Sequence, residues 1–350
     1  MTTGRVSTLT DVIVVNEPFE RWWSFSADHA RNRWAGPALR LIRIAPGDRT
    51  PLAGLELPPA TERLLLLTLD ADIALDLAKL PRLRELATLE PPGDAMRAAL
   101  SDHGVEVYAP RNEGYWGQSV AEFALGLTIG ALRRIPQTAR AMIESQDTWS
   151  YLPPEGTGRP GARAGQFGDD SAFVSGTVSG KRVRVIGMGN IGTRYASFCA
   201  ALGADVAAWS ASAPDPVFHR SGARRVLRLA ELFTDAEIVA PMLPLVTGTE
   251  GFVSQELIDS MPRGSLLVLV TRARVVHMPA VRRRVLADEI ALAADVFDVE
   301  PVPLDDPLLG RHNVVHTPHN AGRTIDSNRA LVDALLEQFR VTPGTSERVA

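Results

Sequence analysis

The residues best suited to chemistry stand in the last quarter of the 350-residue chain: Arg272, Glu300 and His319, each just beyond a short apolar run. A fixed positive charge, a carboxylate and an imidazole together suit a 2-oxo or 2-hydroxy acid. Arginine grips a carboxylate through two parallel hydrogen bonds, and histidine trades a proton with the hydroxyl oxygen. A carboxylate beside the ring orients it and favours its charged form. Arg263 and Arg274 stand near Arg272, and His277, His312 and His316 are rival imidazoles. What sets His319 apart is Thr317-Pro318-His319-Asn320-Ala321-Gly322, a rigid turn ending in glycine ahead of a helix.

A second constellation runs from Lys181 to Gly203, KRVRVIGMGNIGTRYASFCAALG. Val183, Val185 and Ile186 read as a buried strand, and from Ile191 onward apolar residues fall at helical spacing. Between them Gly187, Gly189 and Gly192 form G-x-G-x-x-G in the strand-to-helix context that makes the motif a dinucleotide fingerprint. Gly187 allows the tight turn, Gly189 lets backbone approach a pyrophosphate, and Gly192 lets helix pack on strand. The amides of Asn190 and Ile191 then open the helix toward the phosphates. An NAD-selective site places a carboxylate about 20 residues beyond the glycines, but Ser210 stands there. Its neutrality removes repulsion of a 2'-phosphate and tilts the expectation from NAD toward NADP, with Arg220 or Arg224 as candidate phosphate ligands.

The elements that must carry these residues alternate along the chain. Strands are expected at Asp11 to Asn16, Ala38 to Ile44, Leu64 to Leu69, Leu86 to Leu89 and Val105 to Tyr108, with helices at Ala71 to Leu80 and Asp94 to His103. That alternation predicts a parallel sheet covered on both faces. The Trp-rich stretch Arg21 to Trp34 reads as core packing. One long helix from Gln118 to about Ser145, broken near Pro136, connects to a Gly-, Pro- and Ser-rich excursion from Trp149 to Gly180. Gly126 and Gly130 lie on one face of that helix and admit a close neighbour.

Beyond the fingerprint, strands are expected at Asp205 to Trp209, Ile238 to Pro241, Ser265 to Val270, Ile290 to Val296 and Val314 to His316. A turn-rich segment runs to Gly222. Helices follow at Leu227 to Phe233, Ser254 to Met261 and Met278 to Asp288. A last helix, Arg323 to about Phe339, has no strand after it and is expected to rejoin the first domain.

Composition is that of an ordinary globular protein, 45% hydrophobic and 22% charged with net charge -4. A mild acidic balance argues against nucleic acid or an anionic membrane as partner. No segment reads as a signal peptide or a membrane span, so the expected location is the cytoplasm. The lone Cys199 leaves neither a disulfide nor a cysteine-cluster metal site, and no metal is expected.

In order and spacing these pieces resemble the D-isomer-specific 2-hydroxyacid dehydrogenases over roughly residues 60 to 340. The matching segments are Ser119-Val120-Ala121-Glu122, the GMGNIG turn, Asp235 to Thr249 with Leu243-Pro244-Leu245, and Gly264 through Thr271 and Arg272. Asp295-Val296-Phe297 leading to Glu300-Pro301, and Thr317-Pro318-His319, complete the set. The resemblance implies that Arg272 binds substrate, Glu300 partners the histidine and His319 is the acid/base. It also implies that Asp295, Pro244, Thr249 and Thr271 lie along the nicotinamide cofactor, and that the chain pairs as a homodimer.

The implied fold is α/β with two domains, a doubly wound Rossmann-type cofactor domain (117–322) inserted in a smaller flavodoxin-like substrate domain (1–116 and 323–350), with the site in the cleft. The implied activity is hydride transfer between a nicotinamide cofactor and a 2-oxo or D-2-hydroxy acid; a non-catalytic dinucleotide sensor of the same fold is the alternative. A formate-dehydrogenase-like chain would carry glutamine near the histidine in place of Glu300. Three departures stand out: Leu269 and Ala273 replace the usual Asn and Gly around the arginine, Met242 stands where a small or polar residue is common, and Glu90-Pro91-Pro92-Gly93 replaces a Gly-rich loop whose amides hold the substrate carboxylate. Proline has no amide to give.

Overall fold

The computed structural model describes residues 10–35, 38–47, 51–69, 73–110, 115–150 and 168–340. The chain divides into two compact units, Met1–Tyr115 with Arg323–Ala350, and Trp116–Gly322.

The first unit is built on β1 (Thr10–Val15), β2 (Arg40–Arg43), β3 (Thr61–Leu67), β4 (Glu85–Thr88) and β5 (Glu106–Tyr108), all parallel, in the order β2-β1-β3-β4-β5. That is the flavodoxin-like 2-1-3-4-5 order. Alternation along the strands sorts their side chains onto two covered faces. Ile13, Val15, Leu65 and Leu67 meet Phe19, Trp34, Leu331 and Leu335 on one side, while Val12, Val14, Leu64 and Leu66 meet Leu83 and Leu100 on the other. The helix Ile325–Leu336 therefore completes the core of this unit.

The second unit holds β6 (Arg182–Ile186), β7 (Asp205–Trp209), β8 (Arg224–Arg225), β9 (Ile238–Pro241), β10 (Leu266–Leu269), β11 (Ala291–Ala294) and β12 (Val314–His316). All pairings are parallel, in the order β12-β11-β10-β9-β6-β7-β8. Strand order reverses between β6 and β9, the switch point at which open α/β sheets form a ligand crevice beyond their carboxyl ends. The helix Gly117–Leu132 covers one face, and a Cβ on its Gly130 would stand 4.0 Å from Val315 of β12, so this glycine admits the sheet. Burial pushes the Cys199 thiol up to about 12, which makes it inert as a nucleophile.

Several local expectations are corrected. No α-helix fills the described part of Ala71 to Leu80; only a 3-10 turn, Leu77–Lys79, is present, because Ile73, Leu75 and Leu80 reach the core from an irregular chain. The turn-rich segment before Gly222 contains the helix Asp215–Arg220, started by Pro216 in its first turn. The helix expected over Leu227 to Phe233 is only Glu231–Thr234, because Arg224–Arg225 is drawn into the sheet as an edge strand. The long helix breaks at Arg134, which is left-handed (φ 51°), and Pro136 sits in the first turn of the next helix, Ile135–Glu144, where its missing N–H costs nothing. The Trp-rich stretch is divided: Trp34 is buried, while Trp22 and Phe25 are 43% and 51% exposed. Residues 151–167 of the excursion lie outside the described residues.

Candidate active site

The turn after β6 is shaped by its three glycines in different ways. Gly187 has φ +95°, and a Cβ there would stand 2.8 Å from the Met242 carbonyl oxygen and from Leu243 Cδ2. At Gly192 a Cβ would fall 1.9 Å from the Gly187 carbonyl oxygen, closer than any side chain tolerates, so strand and helix meet only because this residue has none. Gly189 has nothing within 4 Å of its Cβ position. It leads into the helix Asn190–Ala201, whose start carries no side-chain cap, with Asn190 exposed and Ile191 half-buried. An uncapped helix N-terminus beside open space fits an anionic phosphate. The buried Met242 forms the wall behind both packed glycines.

Neighbouring strands extend the same carboxyl edge. After β9, the Thr249 hydroxyl donates to the Pro244 carbonyl (2.5 Å) and accepts from the Val246 amide (2.9 Å), closing the exposed loop that follows Leu243. After β10, the buried Thr271 hydroxyl reaches the Pro241 carbonyl at 3.3 Å. Arg272 follows and is exposed, its Nη1 bonded to the Thr271 carbonyl at 2.8 Å. The competing arginines are committed elsewhere: Arg263 to Glu289 at 2.8 Å, and Arg274 to Glu250.

The structure brings Glu300 and His319 together. Glu300 Oε2 lies 2.6 Å from His319 Nδ1, and Glu300 Oε1 accepts from the Phe297 amide at 2.8 Å. An ionised carboxylate accepts only, so Nδ1–H is the donor and Nε2 is the nitrogen for proton exchange with a substrate. Both side chains are about one third exposed, at 33% and 31%.

His319 itself is left-handed (φ 54°), a conformation that costs about 1–3 kcal/mol outside glycine. The buried Asp295 at the end of β11 stabilises it. Its Oδ1 accepts from Thr317 Oγ1 (2.6 Å) and the Asn320 amide (3.0 Å), and its Oδ2 from the Ala321 amide (2.9 Å). Hydrogen bonds to a charged group contribute roughly 1.5–3 kcal/mol each, so three of them outweigh the strain. Reading the sequence overlooked Thr317 and the Asn320 and Ala321 amides; the spacing Asp295-x21-Thr317 carries no rule that pairs them, and only adjacency of β11 and β12 does.

At the end of β7, the half-buried Ser210 hydroxyl accepts a long contact from the Ala213 amide at 3.4 Å. Arg220 and Arg224 are both exposed, but Arg224 sits opposite Ala207, in mid-strand, and its charge is felt at the Asp235 carboxylate near the start of β9. Arg224 is therefore removed from the Ser210 end. Among the described residues no group of three or more His, Cys, Asp or Glu side chains stands ready to hold a metal ion, and no helix is long and apolar enough to cross a membrane.

A doubly wound sheet with a glycine turn at its switch point, and a histidine–carboxylate pair on the same edge, defines a nucleotide-binding α/β protein equipped for proton exchange. Residues 125–321 match the family model of the D-isomer specific 2-hydroxyacid dehydrogenase NAD-binding domain, and the chain belongs to that family. It is 28% identical over 223 residues to D-3-phosphoglycerate dehydrogenase of Methanocaldococcus jannaschii, which covers 63% of this chain and 38% of that protein. To glyoxylate reductase of Korarchaeum cryptofilum it is 26% identical over 234 residues, 67% of this chain and 65% of that one. The chain thus spans between about a third and two thirds of the length of the curated relatives it matches first.

Among solved structures, a phosphoglycerate oxidoreductase from Rhizobium etli shares the fold with a TM-score of 0.66 at 21% identity, covering 94% of this chain and 93% of that one. A D-isomer specific 2-hydroxyacid dehydrogenase from Xanthobacter autotrophicus Py2, solved with NADPH and MES, aligns with a TM-score of 0.56 at 25% identity over 91% and 92% of the two chains.

Proposed function

We propose that this chain is an NAD(P)-dependent reductase of small 2-oxo acids, running in the other direction as a D-2-hydroxyacid dehydrogenase. The observation that carries the reading is the 2.6 Å contact between Glu300 and His319, on a loop that Asp295 holds in a left-handed turn. His319 Nε2 gives a proton to the substrate oxygen on reduction and takes it back on oxidation. Glu300 orients the ring and holds its Nδ1–H tautomer. Arg272 clamps the substrate carboxylate and polarises the neighbouring carbonyl.

The cofactor, when bound, supplies or accepts the hydride. Gly187, Gly189, Asn190, Ile191 and Gly192 would hold its phosphates, Ser210 its adenine ribose, and Pro244, Thr249, Thr271 and Asp295 would lie along its nicotinamide half. The neutral Ser210, together with the likeness to a dehydrogenase solved with NADPH, favours NADP(H). The phosphoglycerate, glyoxylate and hydroxypyruvate named for relatives favour short 2-oxo and 2-hydroxy acids as substrates. A second copy of the chain is the expected partner, because Ile135, Met142, Ile143 and Trp149 leave apolar surface exposed along and beyond the helix Ile135–Glu144.

The test is turnover of a short 2-oxo acid panel with NADH and NADPH, followed by pH profiles of kcat/KM in both directions. His319→Ala is expected to lose roughly 10²–10⁴-fold, the usual worth of general acid–base catalysis. Glu300→Gln keeps the shape but replaces the acceptor-only carboxylate that fixes the Nδ1–H tautomer, so kcat/KM is expected to fall in both directions and its pH profile to change. Dinucleotide binding without turnover on any oxo acid would favour a non-catalytic sensor instead.

A further inference from the structure

The loop that presents Glu300 is tied down by one side chain. In the helix Met278–Leu286, Arg282 lies about 20% exposed and binds two carboxylates at once. Its Nε and Nη2 donate to Asp298 (3.0 and 2.7 Å), and its Nη1 and Nη2 donate to Asp306 (3.0 and 2.9 Å). Asp298 and Asp306 bracket Glu300, so a single guanidinium closes the loop across its ends. Asp306 is nearly buried, also accepts from the Leu308 amide at 2.9 Å, and is held below the usual carboxylate range chiefly by its bond to Arg282.

The flanks of the loop are held by the buried Phe297 and Leu308, and within it Glu300 Oε1 accepts from the Phe297 amide at 2.8 Å, while its middle is open. Val299 and Leu304 are 54% and 98% exposed, and Val302 supplies the partly buried apolar contact with the core. The neighbouring arginines point to other tasks: Arg283 pairs with Asp259, and Arg284 donates to the Ile258 and Met261 carbonyls and to Glu289.

We propose that Arg282 is a positioning residue for the acid/base pair: by holding Asp298 and Asp306 it sets the loop from which Glu300 reaches His319. This rests on the reading of that pair given above. Glu300 is bonded to the ring at Nδ1, whereas Asp295, from the end of β11, is bonded to Thr317 and to the loop backbone, so displacement of Glu300 is the change that the ring registers. A shift of about 1 Å in such a contact costs on the order of 10²-fold in rate.

The experiment measures kcat, KM, the pH profile of reduction, cofactor affinity and Tm in four variants of the full chain. Arg282→Lys keeps the charge but cannot grip two carboxylates bidentately. It is expected to lower kcat about tenfold, as partial misplacement would, to change the pH profile of reduction as Glu300→Gln does, and to leave oxo-acid KM and cofactor affinity within about twofold. Asp298→Asn weakens one arm, leaves the nearly buried Asp306 paired, and is expected to do the same to a smaller degree. Arg283→Gln is the control and should change neither kcat nor the pH profile. His319→Ala reports on the pair itself.

A lowered Tm with wild-type kcat and an unchanged pH profile in both Arg282→Lys and Asp298→Asn would make the clamp purely structural and overturn the proposal alone. Turnover retained in His319→Ala would overturn the proposal together with the acid/base reading on which it rests.

Discussion

The turn after β4 in the first unit and the turn after β6 in the second are both strand-to-helix turns in parallel sheets, yet only one is built to receive an anion. After β6 the chain offers Gly189 with open space beside it and a helix start with no side-chain cap, two features that Gly93 and its helix share. After β4 it offers Leu89-Glu90-Pro91-Pro92-Gly93, with the Thr88 hydroxyl donating to the Glu90 carbonyl at 2.7 Å and two prolines that lack amides. The helix that follows, Asp94–Asp102, begins with its own carboxylate at Asp94, paired with Arg97. A helix dipole already met by a side-chain charge, behind residues with no N–H, has little left for a ligand. Strand order, room and an uncapped helix start therefore do not by themselves make an anion site; backbone amides and an approach free of negative charge are also needed.

The largest effect should come from exchanging glycine for alanine in each turn. Gly192→Ala drives a Cβ into the Gly187 carbonyl at 1.9 Å, a backbone clash expected to exceed the ~1–3 kcal/mol of tolerated overpacking. Dinucleotide binding should be lost and Tm should fall. Gly93→Ala, at φ -58° with nothing within 4 Å, should leave both unchanged. Fluorescence titration with NADPH and thermal melts decide, and equal losses in the two variants would erase the contrast between the turns.

A smaller effect tests how charge near the β6 turn selects its ligand. Ser210→Asp adds a carboxylate where the ribose end is proposed to lie, and the ratio of NADPH to NADH dissociation constants should rise about tenfold, the worth of roughly 1.4 kcal/mol of repulsion and new hydrogen bonding. An unmoved ratio would show that the adenine ribose lies elsewhere.

The smallest effect concerns the buried arginines that brace the two sheets. Arg63 on β3 is sealed with Asp11 at 2.6 Å beneath Trp34, 4.9 Å from its ring. Arg184 on β6 is equally buried but shares two half-exposed carboxylates, Asp205 and Asp235. The bond from Arg184 holds Asp235 below its ordinary value of 3.8. A carboxyl lowered on folding contributes stability at pH values above about 4, and that contribution is lost as pH falls through the lowered folded value. Asp235→Asn should therefore flatten the acid limb of Tm against pH while costing about 1 kcal/mol at pH 7, since the Asp235 carboxylate is half exposed and the buried Arg184 keeps Asp205 as a partner. An unchanged acid limb would place the acid sensitivity elsewhere.

What the sequence by itself determined was set by local rules. The glycine spacing, the two strand-helix alternations and the Thr317-Pro318-His319 turn are each contained in a few consecutive residues, where periodicity and turn chemistry act directly. They located the glycine turn, most strands to within a few residues, and the turn that carries His319; its pairing with Glu300 was an implication of the family resemblance. The short elements escaped because the sheet decides them: Arg224–Arg225 becomes strand through pairing with β7, and the described residues 73–80 form no α-helix because Ile73, Leu75 and Leu80 reach the core from an irregular chain.

Only the tertiary structure decided which charges meet. Arg282 lies in a run of three consecutive arginines, and only the fold shows Arg282 closing the Glu300 loop while Arg284 is buried against the Ile258 and Met261 carbonyls. Asp295 and the turn that carries His319 come together because β11 and β12 are neighbours. Hydrogen bonds between residues 16 to 26 positions apart follow no period of helix or strand, and they exist only once the sheet has set its order.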